Sequence, residues 1–98
     1  MSDKIIVRVK PEIKDLVPGY ISHRKSDVVA MKDLLKQGKF DELKVLGHKM
    51  KGGGKLYDLD QVTILGDKIE KASIVKDSAP IAEALEILGD YLDRVEVE

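Results

Sequence analysis

The chain has no cysteine, no tryptophan and a single phenylalanine, Phe40. Without cysteine there are no disulfides, no thiolate metal ligands and no cysteine nucleophile. Neither sign of charge is in excess: 17 lysines and arginines face 18 acids, for a formal net charge of -1. That balance excludes a global pull toward nucleic acid or membrane, so neither is expected as a partner. No apolar run approaches the ~20 residues a membrane span needs. Ile5-Ile6-Val7 after Met1-Ser2-Asp3-Lys4 is too short an apolar core for a signal peptide and has no small-residue cleavage site. The chain reads as soluble and cytoplasmic, and its Met1 and helical C-terminal end suggest a free-standing protein.

What is there is a helical composition, rich in Lys, Glu, Asp, Leu and Ala. Ninety-eight residues make one domain, 1–98, with one modest core. Ile5 to Val9 alternate as a short extended segment, and Glu12 to Val17 have the length of two helical turns that Pro18-Gly19 should end. Tyr20 to Gln37 reads as a long helix with Tyr20, Ile21, Val28, Met31 and Leu35 on one face, closed by Gly38. Arg24 falls on that stripe, its stem along the core edge and its head toward water. Lys39 to Leu56 repeats Phe40, Leu43, Gly47 and Met50, with Leu46 beside them and Tyr57 following. Asp58 is placed to N-cap a helix from Leu59 to about Val75, in which Leu59, Val62, Leu65, Ile69 and Ala72 face one way. A turn at Lys76-Asp77-Ser78 and Pro80 open the last helix, whose stripe is Ile81, Ala84, Leu85, Leu88, Leu92 and Val95.

Four amphipathic helices on short connections predict an all-α fold: an antiparallel up-down-up-down four-helix bundle with a short N-terminal helix or extended segment. Such a bundle covers its own core, so a monomer is expected. In it the first and last segments share an end. Basic Ile5–Lys10 and acidic Val95–Glu98 are therefore expected to pair as a short two-stranded ribbon, held by packing on the bundle.

One stretch contradicts helical economy: His48-Lys49-Met50-Lys51-Gly52-Gly53-Gly54. Three glycines inside a helix cost roughly 2–3 kcal/mol relative to alanines. The inferred reason is access to His48, with Gly52 and Gly53 removing side chains that would block a docking partner. At 100° per residue, with the Leu43–Met50 stripe facing the core, His48 points outward. Lys44, Lys51 and Lys55 lie at −4, +3 and +7 on the same face, Gly52 at +4, and Lys49 is adjacent. Gly47 and Gly54 face inward, where close packing explains them. An imidazole in a basic field suits direct acceptance of a phosphoryl group, since that chemistry needs mainly positioning and charge stabilisation.

Other chemistries fail on the residues. The glycine run misses the Gly-x-x-x-x-Gly-Lys-Ser/Thr register of a phosphate loop, which excludes nucleotide binding. Two distant histidines without cysteine do not make a zinc site, and His23 reads as an exposed residue. The acids Asp41-Glu42 and Asp58/Asp60 sit at helix starts, where the helix dipole accounts for them.

Leu46-Gly47-His48-Lys49-Met50-Lys51-Gly52-Gly53-Gly54 resembles the His-x-apolar-Lys-Gly motif of the histidine-containing phosphotransfer (HPt) domain of bacterial two-component phosphorelays. Tyr20 matches that family's aromatic residue in the first long helix. Leu65 to Ala72 matches its Leu-x-x-Leu-like helix after the motif. The resemblance spans about residues 10–95. It departs at Asp58, ten residues after the histidine, where the family commonly has glycine. It implies that His48 accepts a phosphoryl group on Nε2 from a receiver-domain aspartyl phosphate and passes it to another receiver. It implies that Lys51 stabilises the group and that Gly52 keeps the surface open. It also implies a phosphocarrier without kinase activity, not an enzyme, with no cofactor of its own and Mg2+ on the partner. Partners would be response-regulator receiver domains or a hybrid histidine kinase, docking beside exposed apolar residues such as Val45 and Ile64. The alternative is a non-catalytic HPt-like adaptor that binds a signalling partner without phosphotransfer. A phosphohistidine phosphatase would need a second nucleophile or base beside His48, and the sequence offers none.

Overall fold

The computed structural model describes residues 3–98. Four helices carry the fold: α1 (Val17–Lys36), α2 (Phe40–Leu56), α3 (Asp60–Ile74) and α4 (Ser78–Arg94). They are flanked by two three-residue strands, β1 (Ile5–Val7) and β2 (Val95–Val97), and a 3-10 turn at Lys14–Leu16 precedes α1. The predicted stripes supply the core. Met31, Leu43, Met50, Ile69, Ile81, Leu85 and Leu88 are fully buried or nearly so. Tyr91 and Val17 are buried too, and neither lies on a predicted stripe. No helix among the described residues is long and apolar enough to cross a membrane.

Two local expectations are corrected. Pro18 and Gly19 do not end a helix over Glu12–Val17; they lie in the first turn of α1, which starts at Val17. Proline fits there because a first-turn residue has no N–H partner to lose. Asp58 does not cap α3, which begins at Asp60 after Leu59 with no side-chain cap. Asp58 instead adopts φ +59°, the left-handed region that glycine favours and that Asp tolerates better than most residues. Its carboxylate accepts the Lys10 N–H at 3.0 Å, which ties the N-terminal segment to the α2–α3 turn. Gly38 stops α1 as expected, at φ +69°.

The terminal segments do pair. β1 and β2 run parallel in the register Ile5↔Val95, Ile6↔Glu96 and Val7↔Val97. Ile5, Val7, Val95 and Val97 pack against the core, and Arg8 meets Glu98 at 2.7 Å. That packing supplies what two short strands lack alone.

The tightest contact is between α2 and α3. A Cβ on Gly47 would stand 2.8 Å from the Glu70 backbone nitrogen, and one on Gly54 2.6 Å from that of Thr63. A Cβ on Gly66 would stand 2.6 Å from the Lys51 nitrogen and 2.8 Å from the Gly47 oxygen. Contacts along the two helices therefore run in opposite order, and backbone meets backbone. The Thr63 hydroxyl donates to the Lys51 carbonyl at 3.1 Å across the same seam. On the other side of the bundle Lys25 pairs with Asp93 and Lys32 with Glu86, again in opposite order along α1 and α4.

Glycine thus has different meanings along one seam. Gly66→Ala puts a methyl against backbone that cannot yield and should destabilise the fold by about 1–3 kcal/mol. Gly52 has nothing within 4 Å of its Cβ position. Gly52→Ala should therefore stabilise by ~0.5–1 kcal/mol through helix propensity alone. Urea unfolding of the two variants checks the opposite signs.

Candidate functional site

The inward face of α2 is taken by Leu43, Gly47, Met50 and Gly54, all buried. His48 consequently projects to solvent, with its side chain 71% exposed. The missing side chain at Gly47 lets the α3 backbone close in beside Glu70. The Glu70 carboxylate thereby reaches the ring, with Oε2 2.9 Å from His48 Nδ1. A carboxylate only accepts hydrogen bonds. The neutral ring must therefore carry its proton on Nδ1, which leaves the lone pair on Nε2. Among the described residues His48 is the one histidine within ion-pair distance of a carboxylate. His23 is exposed on α1, away from this site in a groove with Tyr20, Arg24, Gly53 and Tyr57.

Lys51 lies one turn along from His48. Its Nζ is 2.9 Å from Asp67 Oδ1 and 3.9 Å from Glu70 Oε1. The second Asp67 oxygen holds Lys71 Nζ at 2.9 Å. Hydrogen bonds from Lys51 and then Lys71 hold the Asp67 carboxyl below the usual carboxylate range. In return the Asp67 hydrogen bond and charge hold the Lys51 ammonium above the usual lysine value. Lys44, Val45, His48, Lys49 and Glu70 line an open groove of about 300 Å³.

The sequence-derived residues His48, Lys51 and Gly52 thus fall on one turn of α2, but their surroundings differ from expectation. The ring is not simply encircled by ammonium groups. A carboxylate holds its Nδ1 side, and Lys51 is itself held by acids. Lys44 and Lys49 line the groove beside the ring, and Lys55 does not. Gly52 is open to solvent as inferred. Gly53 is not: its Cβ would lie 2.8 Å from the Tyr20 hydroxyl, so packing explains it. Tyr20 in turn stacks on Tyr57 at 4.2 Å between ring centroids and lies under the Arg24 guanidinium at 4.7 Å. Arg24 also pairs with Asp27 at 2.9 Å. Val45 borders His48, whereas exposed Ile64 lies on α3 outside the groove.

Sequence reasoning missed Asp67 and Glu70. A signal for them existed. Counting outward from Asp58, Lys51 and His48 stand seven and ten residues before the turn, and Asp67 and Glu70 nine and twelve after it. In a helical hairpin those offsets bring the two pairs together.

No family model, no curated protein and no solved structure matches this chain.

The hydrogen bond to Glu70 should be visible in the ring itself. In wild type the neutral His48 imidazole should be the Nδ1–H form, read from its ring 15N shifts. Glu70→Ala should move it toward the Nε2–H form; unchanged shifts would show that Glu70 does not set the tautomer.

Proposed function

We propose that this chain is a phosphocarrier of the HPt kind. The observation that carries the reading is the exposed His48 ring with its Nδ1 hydrogen-bonded to Glu70. It leaves Nε2 as the nucleophile on a surface that Gly52 keeps bare. The donor would be the aspartyl phosphate of a receiver domain. Nε2 gives its lone pair to phosphorus, the bond between phosphorus and the aspartyl oxygen breaks, and that electron pair leaves with the carboxylate. The ring becomes cationic with its Nδ1 proton still in place. Glu70 stands where it can stabilise that charge, and Lys51 is a single turn from the new phosphoryl group. Reversal of the same step onto a second receiver completes the relay.

The chain needs no kinase activity and no cofactor for this step, because the phosphoryl group and its Mg2+ arrive with the partner. Receivers, or the receiver of a hybrid histidine kinase, would dock over the groove that Val45 shares with His48. On this reading the protein works in two-component signalling in the cytoplasm, as a monomer outside its encounters.

Transfer from a phosphorylated receiver tests the reading. Acid-labile, alkali-stable phosphate should appear on the chain and be absent from His48→Ala. Lys51→Ala should slow transfer by on the order of 10²-fold, the scale of losing one donor to developing charge. Gly52→Leu should impair transfer from a receiver far more than labelling by the small donor phosphoramidate. Absence of transfer from every receiver tried, with His48→Ala still functional in cells, would make the chain an adaptor.

A further inference from the structure

Lys51, the cation assigned to the phosphoryl group, is already engaged. Its ammonium sits 2.9 Å from Asp67 and only 3.9 Å from the carboxylate that holds His48. Asp67 is shared, because Lys71 occupies its other oxygen at 2.9 Å. Losing Lys51 would therefore still leave Asp67 with a cation.

We propose that Asp67 is a positioning residue that holds Lys51 while His48 is free and releases it when the ring carries a phosphoryl group. The inference rests on the phosphocarrier reading and adds a regulatory element to that site. A phosphoryl group brings up to two negative charges close to Glu70 and Asp67. Like charges in that space repel, and Lys51 is the cation already lodged between the two acids. Moving Lys51 from Asp67 to the phosphoryl group relieves the repulsion at the cost of one partly exposed ion pair, and Lys71 stays behind to neutralise Asp67. The raised Lys51 affinity for its proton, caused first by Asp67, fits the same clamp. Because Lys51 must leave one anion to serve the other, Asp67 weakens the hold of the site on its phosphoryl group. The group is thereby kept ready for onward transfer.

The test loads the full chain with phosphoramidate, which needs no partner. Nε2 attacks phosphorus, the phosphorus–nitrogen bond of the donor breaks and ammonia leaves. The proton affinity of the bound phosphoryl group is then followed by 31P NMR titration. Asp67→Asn frees Lys51 and should lower that affinity about two- to fivefold, the range a solvent-screened ion pair supports. Lys71→Gln leaves Lys51 as the lone cation on Asp67, tightens the clamp and should move the affinity the opposite way. In a Lys51→Gln background the Asp67→Asn effect should shrink to the direct loss of charge, which separates action through Lys51 from that simple loss. Labelled His48 whose affinity ignores Asp67→Asn, or shifts equally without Lys51, overturns the clamp and leaves the phosphocarrier reading standing. Failure of His48 to take the label overturns both.

Discussion

The near-contact of the α2 and α3 backbones governs the rest of this structure. Helices packed through ordinary side chains keep their axes 8–10 Å apart. Here Gly47, Gly54 and Gly66 remove the side chains at successive crossings, and the backbones meet. Each glycine weakens its helix, so the seam recovers stability only by burying what surrounds it: Leu43, Met50, Val62, Leu65 and Ile69. The approach also has a chemical consequence. It brings short carboxylate side chains on α3 within reach of an imidazole and an ammonium on α2. Wider packing would leave Glu70 and Asp67 in water and His48 without a fixed tautomer.

Much of this fold is legible in the sequence because it is written in one period. The apolar stripes repeat at threes and fours, and the side chains they name are buried or packed against the core. The outward direction of His48 follows from the same wheel, as does the alignment of Lys51 and Gly52 with it. A wheel, however, gives a direction and not a neighbour. It cannot distinguish Gly52, which faces open solvent, from Gly53, which faces Tyr20. Reading both Gly52 and Gly53 as access to His48 therefore assigned to one purpose what the structure divides between two. The acids of α3 were hidden for a related reason. Within their own helix Asp67 and Glu70 look like an ordinary solvated face, and their role exists only across the seam.

The turns show where local chemistry outweighs pattern. Pro18-Gly19 reads as a break, yet proline is harmless in a first helical turn, and Val17 is buried there. Asp58 reads as a cap, yet its own side chain is used elsewhere. A left-handed φ at Asp58 turns the chain from α2 to α3, and the carboxylate so oriented grips the Lys10 amide. Asp58 thus stands where the backbone adopts a conformation that glycine favours. A side chain that can bond to a neighbouring segment compensates for the conformational cost.

Electrostatics at the site argue against a simple anion trap. A ring of free ammonium groups around His48 would bind a phosphoryl group tightly, and a relay that binds too tightly does not release. The observed arrangement is closer to neutral. Glu70 and Asp67 oppose Lys51 and Lys71, while Lys44 and Lys49 line the groove with His48. Under the phosphocarrier proposal, Glu70 favours the cationic ring that forms on attack but repels the dianion attached to it. Lys51 does the reverse. Because the two terms oppose each other, neither state is favoured by both, which suits transfer in both directions. The glycine seam is what allows both terms to act on one ring.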